Sequence, residues 1–185
     1  MISLLILFAQ TIYLALPAIA ANSVPPIAAR FRFLEFLNKS IDAGKTFRGK
    51  RIFGDHKTIR GYVLGIPSAI VITGVQSVLY TNFELFRTLS PINFEIVHWV
   101  AAGFMIGLGT LVGDSVKSFF KRQVGKQPGE SWFPWDQLDS VIGALIFVSF
   151  VTRIPLEIVI LVILLGPLLH LFVVAIGYRS GLKEH

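Results

Sequence analysis

Residues 100–122 read VAAGFMIGLGTLVGDSVKSFFKR, and the fold turns on how this stretch is read. Positions 100–112 carry no charge and suit a bilayer interior. Gly113-Asp114-Ser115 then interrupts the run, and Lys117, Lys121 and Arg122 follow. A hydrophobic segment ending this way either marks the side on which a helix leaves the membrane or holds something negatively charged.

The rest of the chain favours a membrane setting. Its 185 residues are 54% hydrophobic and only 15% charged, where a soluble domain has roughly a quarter charged residues. The mean hydropathy is +0.69. The absence of cysteine excludes a disulfide framework and thiolate chemistry. A net charge of +6, taken alone, is compatible with a nucleic-acid partner. Its distribution follows membrane topology instead, and no nucleic acid is expected.

A membrane helix needs about 20 mostly apolar residues. Five stretches qualify: 2–21, 62–81, 92–112, 137–153 and 155–177. Only Ile154 separates the last two, and Pro155 favours a tight turn there. The polar segment 22–61 holds nine Lys and Arg, segment 113–136 holds four, and the tail adds Arg179 and Lys183. Only Arg87 and Arg153 fall on the other side. The positive-inside rule therefore predicts an all-α polytopic membrane protein with five transmembrane helices, two long cytoplasmic loops, N-terminus outside and C-terminus cytoplasmic. LPAIAAN at 16–22 has the small residues of a signal-peptidase site, but Met1–Ile12 lacks Lys and Arg, so the first segment is read as a retained helix. Gly61/Gly65, Gly103/Gly107 and Gly109/Gly113 recur at the four-residue spacing of close-packed membrane helices.

The polar segments carry chemistry. In the first, Gly44, Gly49, Gly54 and Gly61 alternate with Lys45, Arg48, Lys50, Arg51, Lys57 and Arg60. Glycine lets backbone amides approach an anion, and Lys and Arg neutralise it. Nonspecific attraction to lipid headgroups is the ordinary alternative. In the second, Asp136 and Asp139 lie three apart and share a helix face. An N-cap is the ordinary role for Asp136. Converging carboxylates, with Asp114 as a third, suit Mg2+ as hard oxygen ligands. Lys121 and Arg122 are placed to meet phosphate charge. Together these groups point to metal-assisted phosphoryl or nucleotidyl transfer to a lipid. Asn22 stands at an inner span end, where its amide either caps backbone or binds ligand. His98 and His170, without close His or Cys partners, read as packing residues. Trp99, Trp132 and Trp135 fit interfacial belts.

These motifs carry a family resemblance. The S-x-x-K-R of Ser118, Lys121 and Arg122, with Ser115 before it, the Pro128-Gly129 pair and the D-x-x-D of Asp136 and Asp139 resemble the CDP-diacylglycerol synthase family. ESWFPW at 130–135, DQLD at 136–139, ANSVPP at 21–26 and GKRIFGDHKTIRGYVLG at 49–65 resemble its archaeal branch, the CDP-archaeol synthases. The resemblance implies one membrane-embedded cytidylyltransferase domain over 1–185, in the cell membrane with its site facing the cytoplasm. It also implies CTP and an isoprenoid ether-lipid phosphate, 2,3-di-O-geranylgeranylglycerol 1-phosphate, as substrates. On that reading Asp114, Asp136 and Asp139 hold Mg2+, and Asp114, Lys121, Asp136 and Asp139 are catalytic. Asn22, Lys57, Thr58, Arg60, Ser115, Ser118 and Arg122 bind nucleotide or phosphate. A small-solute transporter or a noncatalytic assembly subunit is the competing class. A transporter predicts ionisable groups at mid-membrane rather than at span ends.

Overall fold

The computed structural model describes residues 4–127 and 130–179, with side chains through Leu168. Pro128 and Gly129, the side chain of His170 and the tail bearing Lys183 lie outside the described residues. The described residues form six α-helices, a short 3-10 turn at Glu35–Leu37 and one small hairpin: α1 Leu4–Arg30, β1 Thr46–Phe47, β2 Lys50–Arg51, α2 Ile59–Asn82, α3 Glu84–Leu89, α4 Trp99–Gln123, α5 Trp135–Val148 and α6 Leu156–Arg179.

Among the described residues, α1, α2 and α4 are long and apolar enough to cross a membrane. α1 runs past the expected end at residue 21, through Pro25 and Pro26, to Arg30. Asn22 is therefore an interior helix residue, and its capping alternative falls away. α4 differs most from expectation. It starts at Trp99 rather than 92, with His98 as its N-cap: the Val100 amide donates to His98 Nδ1 at 3.2 Å. His98 is thus a capping residue, not a packing histidine within a span. The helix also continues through Asp114 to Gln123, because Val116, Phe119 and Phe120 maintain an apolar face beside the charged one.

The fourth span is shorter than 137–153. α5 has 14 residues, about 21 Å at 1.5 Å each, against a hydrocarbon core near 30 Å. Its backbone turns at Ser149–Thr152, ahead of charged Arg153 and of Ile154, which the following proline disfavours as helix. α6 is long, at 24 residues.

α4 lies between α2 and α5, while α1 packs on α2 and α6 on α5. Small residues set these seams. A Cβ on Gly103 would lie 2.7 Å from Ile70 Cα, and one on Gly109 would lie 2.4 Å from the Gly143 carbonyl oxygen. The expected glycine pairs therefore do bring backbones together, except Gly61, whose nearest neighbour is Thr58 Oγ1 at 3.6 Å. Leu14, Ile106, Ala144, Val148, Ile158 and Val162 belong to the buried core. Four buried polar side chains in the helices are turned onto backbone: Thr11, Thr73 and Thr110 bond the carbonyl four residues earlier, and Gln76 Nε2 donates to Tyr13 O at 2.6 Å.

Between α1 and α2 the chain is tied around Asp42. Its carboxylate accepts from Arg51 Nη2 at 2.8 Å, the Phe53 amide at 2.9 Å, the Gly54 and Gly44 amides at 3.0 Å, and Ser40 Oγ. Thr46 pairs with Arg51 and Phe47 with Lys50, leaving Arg48 and Gly49 as a two-residue turn with both φ positive, at 52° and 77°. Glycine at the second position suits that turn.

Candidate active site

The inward face of α4 builds the centre. Asp114, Lys117, Ser118 and Lys121 recur at three- and four-residue steps and so lie on one side. Lys117 Nζ sits 3.3 Å from Asp114 Oδ1, 3.0 Å from Asp136 Oδ1 and 2.9 Å from Asp139 Oδ2. Lys121 Nζ reaches both Asp136 oxygens at 3.1 Å, and Lys57 Nζ bonds Asp114 Oδ2. The Trp132 amide donates to Asp136 Oδ2 at 2.6 Å. Three carboxylates thus meet three ammonium groups, and the resting cluster is close to neutral. Pairing of this kind is what makes buried charge tolerable.

The cluster borders two very different spaces. On one side is a polar cavity of about 640 Å³ whose lining includes Asn22, His56, Lys57, Thr58, Tyr62 and Asp114. On the other is a groove of about 530 Å³ between α4 and α5. Lys117 and Asp139 lie on it, with Val116, Trp135, Ile142 and Ile146 along its apolar walls. A third, basic pocket of about 400 Å³ includes Lys50, Arg51, Arg122 and Lys126 and touches the polar cavity at His56.

The expected site residues divide accordingly. Asn22, Lys57, Thr58, Asp114 and Ser115 line the polar cavity. Thr58 Oγ1 also accepts from the Gly61 amide at 3.2 Å as the N-cap of α2. Ser115 Oγ lies 2.8 Å from the Tyr62 hydroxyl. Ser118 and Lys121 are buried on the same helix. Asp136 is in the first turn of α5, whose N-cap is Pro134. Arg122 faces the basic pocket and donates through Nη1 to Lys126 O at 2.6 Å. Arg60 does not reach either space as expected. Buried, it bonds Glu35 Oε2 at 2.8 Å and Asn38 Oδ1 at 3.1 Å.

The expected site residues omit Lys117, at the centre of the charge cluster, and Tyr62, on the polar cavity's wall. The D-x-x-K spacing of Asp114 and Lys117 was the available signal, since three residues on a helix bring the pair together. The three aspartates are hard oxygen donors of the kind Mg2+ prefers. With Lys117 among them, no three acidic or histidine side chains in the described residues are arranged to hold one ion. Outside the helices, burial of Asp42 raises its pKa, but Arg51, Ser40 and the Phe53 and Gly54 amides outweigh this and hold the carboxyl well below its ordinary value.

A helical bundle with a charged centre between a polar cavity and an apolar groove is the architecture of a membrane-embedded protein. A family model described as CarS-like, CDP-archaeol synthase, matches residues 1–185, and the chain belongs to that family. It is 44% identical over 153 residues to a CDP-archaeol synthase of Methanospirillum hungatei, covering 78% of this chain and 87% of the relative. A second relative of that name, from Methanocaldococcus jannaschii, is 34% identical over 180 residues, covering 97% and 96%. A solved structure described as an intramembrane enzyme for archaeal membrane lipids biosynthesis is similar with a TM-score of 0.68 at 28% identity, covering 86% of this chain and 89% of that one.

Proposed function

We propose that the protein forms CDP-archaeol: it transfers CMP from CTP to the phosphate of an isoprenoid ether lipid, 2,3-di-O-geranylgeranylglycerol 1-phosphate, and releases diphosphate. The observation that carries this reading is the shared centre. Asp114 opens on the polar cavity, while Lys117 and Asp139 open on the apolar groove. A nucleotide needs the first environment and prenyl chains need the second, and the reacting phosphates would meet between them.

A lipid-phosphate oxygen forms a new bond to the α-phosphorus of CTP, and the bond from that phosphorus to the bridging oxygen of the leaving diphosphate breaks. The nucleophile is already anionic, so no general base is required. Lys57, Lys117 and Lys121 supply positive charge where phosphate oxygens gather. Thr58 Oγ1 accepts from Gly61, which leaves its own O–H to donate to a ligand oxygen. Asn22 offers an uncharged donor and acceptor on the cavity wall. Because the resting carboxylates are already balanced by lysines, the divalent cation of this reading would enter with the substrates. Asp114, Asp136 and Asp139 are the residues that would hold Mg2+, as hard oxygen donors beside the phosphates. When bound, Mg2+ would neutralise phosphate charge as a Lewis acid.

Five spans, with N-terminus outside and the cavity facing the cytoplasm, complete the reading. The basic-residue asymmetry supports that orientation. The test is an assay of purified protein with labelled CTP, Mg2+ and the geranylgeranyl lipid phosphate, with ATP and diacyl phosphatidate as controls. Lipid-linked CMP formed from CTP alone is expected. Absence of product with either lipid, in folded protein, would overturn the assignment.

A further inference from the structure

At the end of α1 and beyond it lies RFRFLEFLNK, residues 30–39, and its three phenylalanines face outward. Phe31, Phe33 and Phe36 are 75%, 57% and 70% exposed. Three exposed rings within six residues call for an explanation in a segment that has left the helix bundle. The backbone fixes their level. The Phe33 amide donates to Ala28 O at 2.9 Å and the Arg32 amide to Ala29 O at 3.1 Å. These bonds fold the chain back onto the end of α1 instead of letting it run into solvent. Arg32 and Leu34 adopt positive φ, 52° each, to make the reversal, an uncommon conformation for residues with a side chain.

The length of α1 shows where that end sits. Its 27 residues span about 40 Å, the thickness of a bilayer including its headgroups. Arg30 and the reversal after it therefore fall at the headgroup layer. The charges there are one-sided. Arg32 and Lys39 are exposed, and among the described residues neither pairs with a carboxylate. The neighbouring acid, Glu35, is already engaged by Arg60. Aromatic rings with cationic neighbours at this depth match an interface of acyl chain and anionic headgroup.

We propose that Phe31, Phe33 and Phe36, with Arg32 and Lys39, form an interfacial anchor that seats residues 31–39 on an anionic bilayer surface. The anchor bears on the site through Arg60, which Glu35 and Asn38 hold two residues from Thr58. Seating the segment thus fixes the start of α2, and the rim of the polar cavity, at headgroup level. This inference is independent of the reaction assigned above.

Because the chain has no cysteine, a single one can be labelled cleanly. Phe31→Cys, Phe33→Cys and Phe36→Cys, each nitroxide-labelled, are reconstituted in phosphatidylcholine vesicles with and without phosphatidylglycerol. Collision with oxygen and with a water-soluble nickel chelate is compared with that of labels at Phe104→Cys on the bundle exterior and Lys45→Cys on the loop. The expected result is an oxygen-to-nickel ratio several-fold above that of Lys45→Cys, rising with phosphatidylglycerol and losing that rise in an Arg32→Gln/Lys39→Gln background. Labels as nickel-accessible as Lys45→Cys would overturn the proposal, as would a ratio indifferent to phosphatidylglycerol. Shielding from both reagents would also overturn it, by indicating a protein partner over the patch.

Discussion

Lys117 Nζ and Asp139 Oδ2 lie 2.9 Å apart across the α4–α5 seam, and Gly113 is the reason they can. A Cβ at that position would stand 2.2 Å from the Asp139 carbonyl oxygen. The backbone approach that brings α5 onto α4 therefore also delivers a carboxylate that is 4% exposed to an ammonium that is 15% exposed. Packing and the charge cluster arise from the same contact.

Asp139→Asn should lower kcat by roughly 100-fold or more, since it removes about 3 kcal/mol or more of charge organisation at the phosphates, while the protein remains folded. Lys117→Met leaves Asp139 without its ammonium partner and should destabilise the fold, with about 3–5 kcal/mol as the ceiling for a broken buried pair. The double variant should recover part of that loss. Thermal unfolding of the four proteins in one detergent measures the coupling. Strictly additive losses would show that the pair does not act as a unit.

Gly113→Ala and Gly143→Ala should each cost about 1–3 kcal/mol, the usual penalty of overpacking. A Cβ at Gly143 would meet the Gly109 carbonyl oxygen at 2.1 Å, against backbone that cannot swing aside. Gly61→Ala is the contrast: its nearest neighbour is 3.6 Å away, so its stability should change by less than about 1 kcal/mol. Equal melting shifts in all three would contradict the close approach.

The Asp42 knot should respond to acid. Its carboxyl is held below the ordinary value in the folded chain, so the folded state favours the ionised form. That contribution is fully present above the unfolded aspartate pKa, about 3.9. It declines as the pH falls below that value and is lost only on passing the depressed folded pKa. Asp42→Asn should remove this component, exposing the amides of Phe53 and Gly54 to hydrogen exchange at neutral pH. Unchanged protection at both amides would rule out the knot as what holds the loop.

The long apolar runs made α1, α2 and the first part of α4 legible, because a bilayer demands uninterrupted hydrophobicity. The same signal concealed the end of α4. Asp114, Lys117 and Lys121 look like a loop to a hydropathy reading, yet they form one face of a helix whose other face bears Val116 and Phe120. Asp114, Asp136 and Asp139 were recognisable as a group by residue type and spacing. Lys117 was not, since a lysine among many reads as a topology marker until its three partners are located in space. Arg60 shows the opposite limit: its charge suggests phosphate, and only the fold back toward Glu35 reveals the partner it has here.

The groove offers a selective test of how the lipid is held. Ile146 is 52% exposed on its wall and lies seven residues beyond Asp139, about 10 Å along α5. Ile146→Trp would fill the groove at that distance and leave the charge cluster untouched. The KM for the geranylgeranyl lipid phosphate should rise roughly tenfold, in the range that pocket shape commonly supplies, while the KM for CTP is unchanged. A lipid phosphate whose chains are too short to reach Ile146 should be processed equally by both proteins. This combination separates chain binding from damage to the centre, because damage would lower turnover for short and long chains alike. An unchanged KM for the long-chain lipid would place its hydrocarbon elsewhere on the bundle.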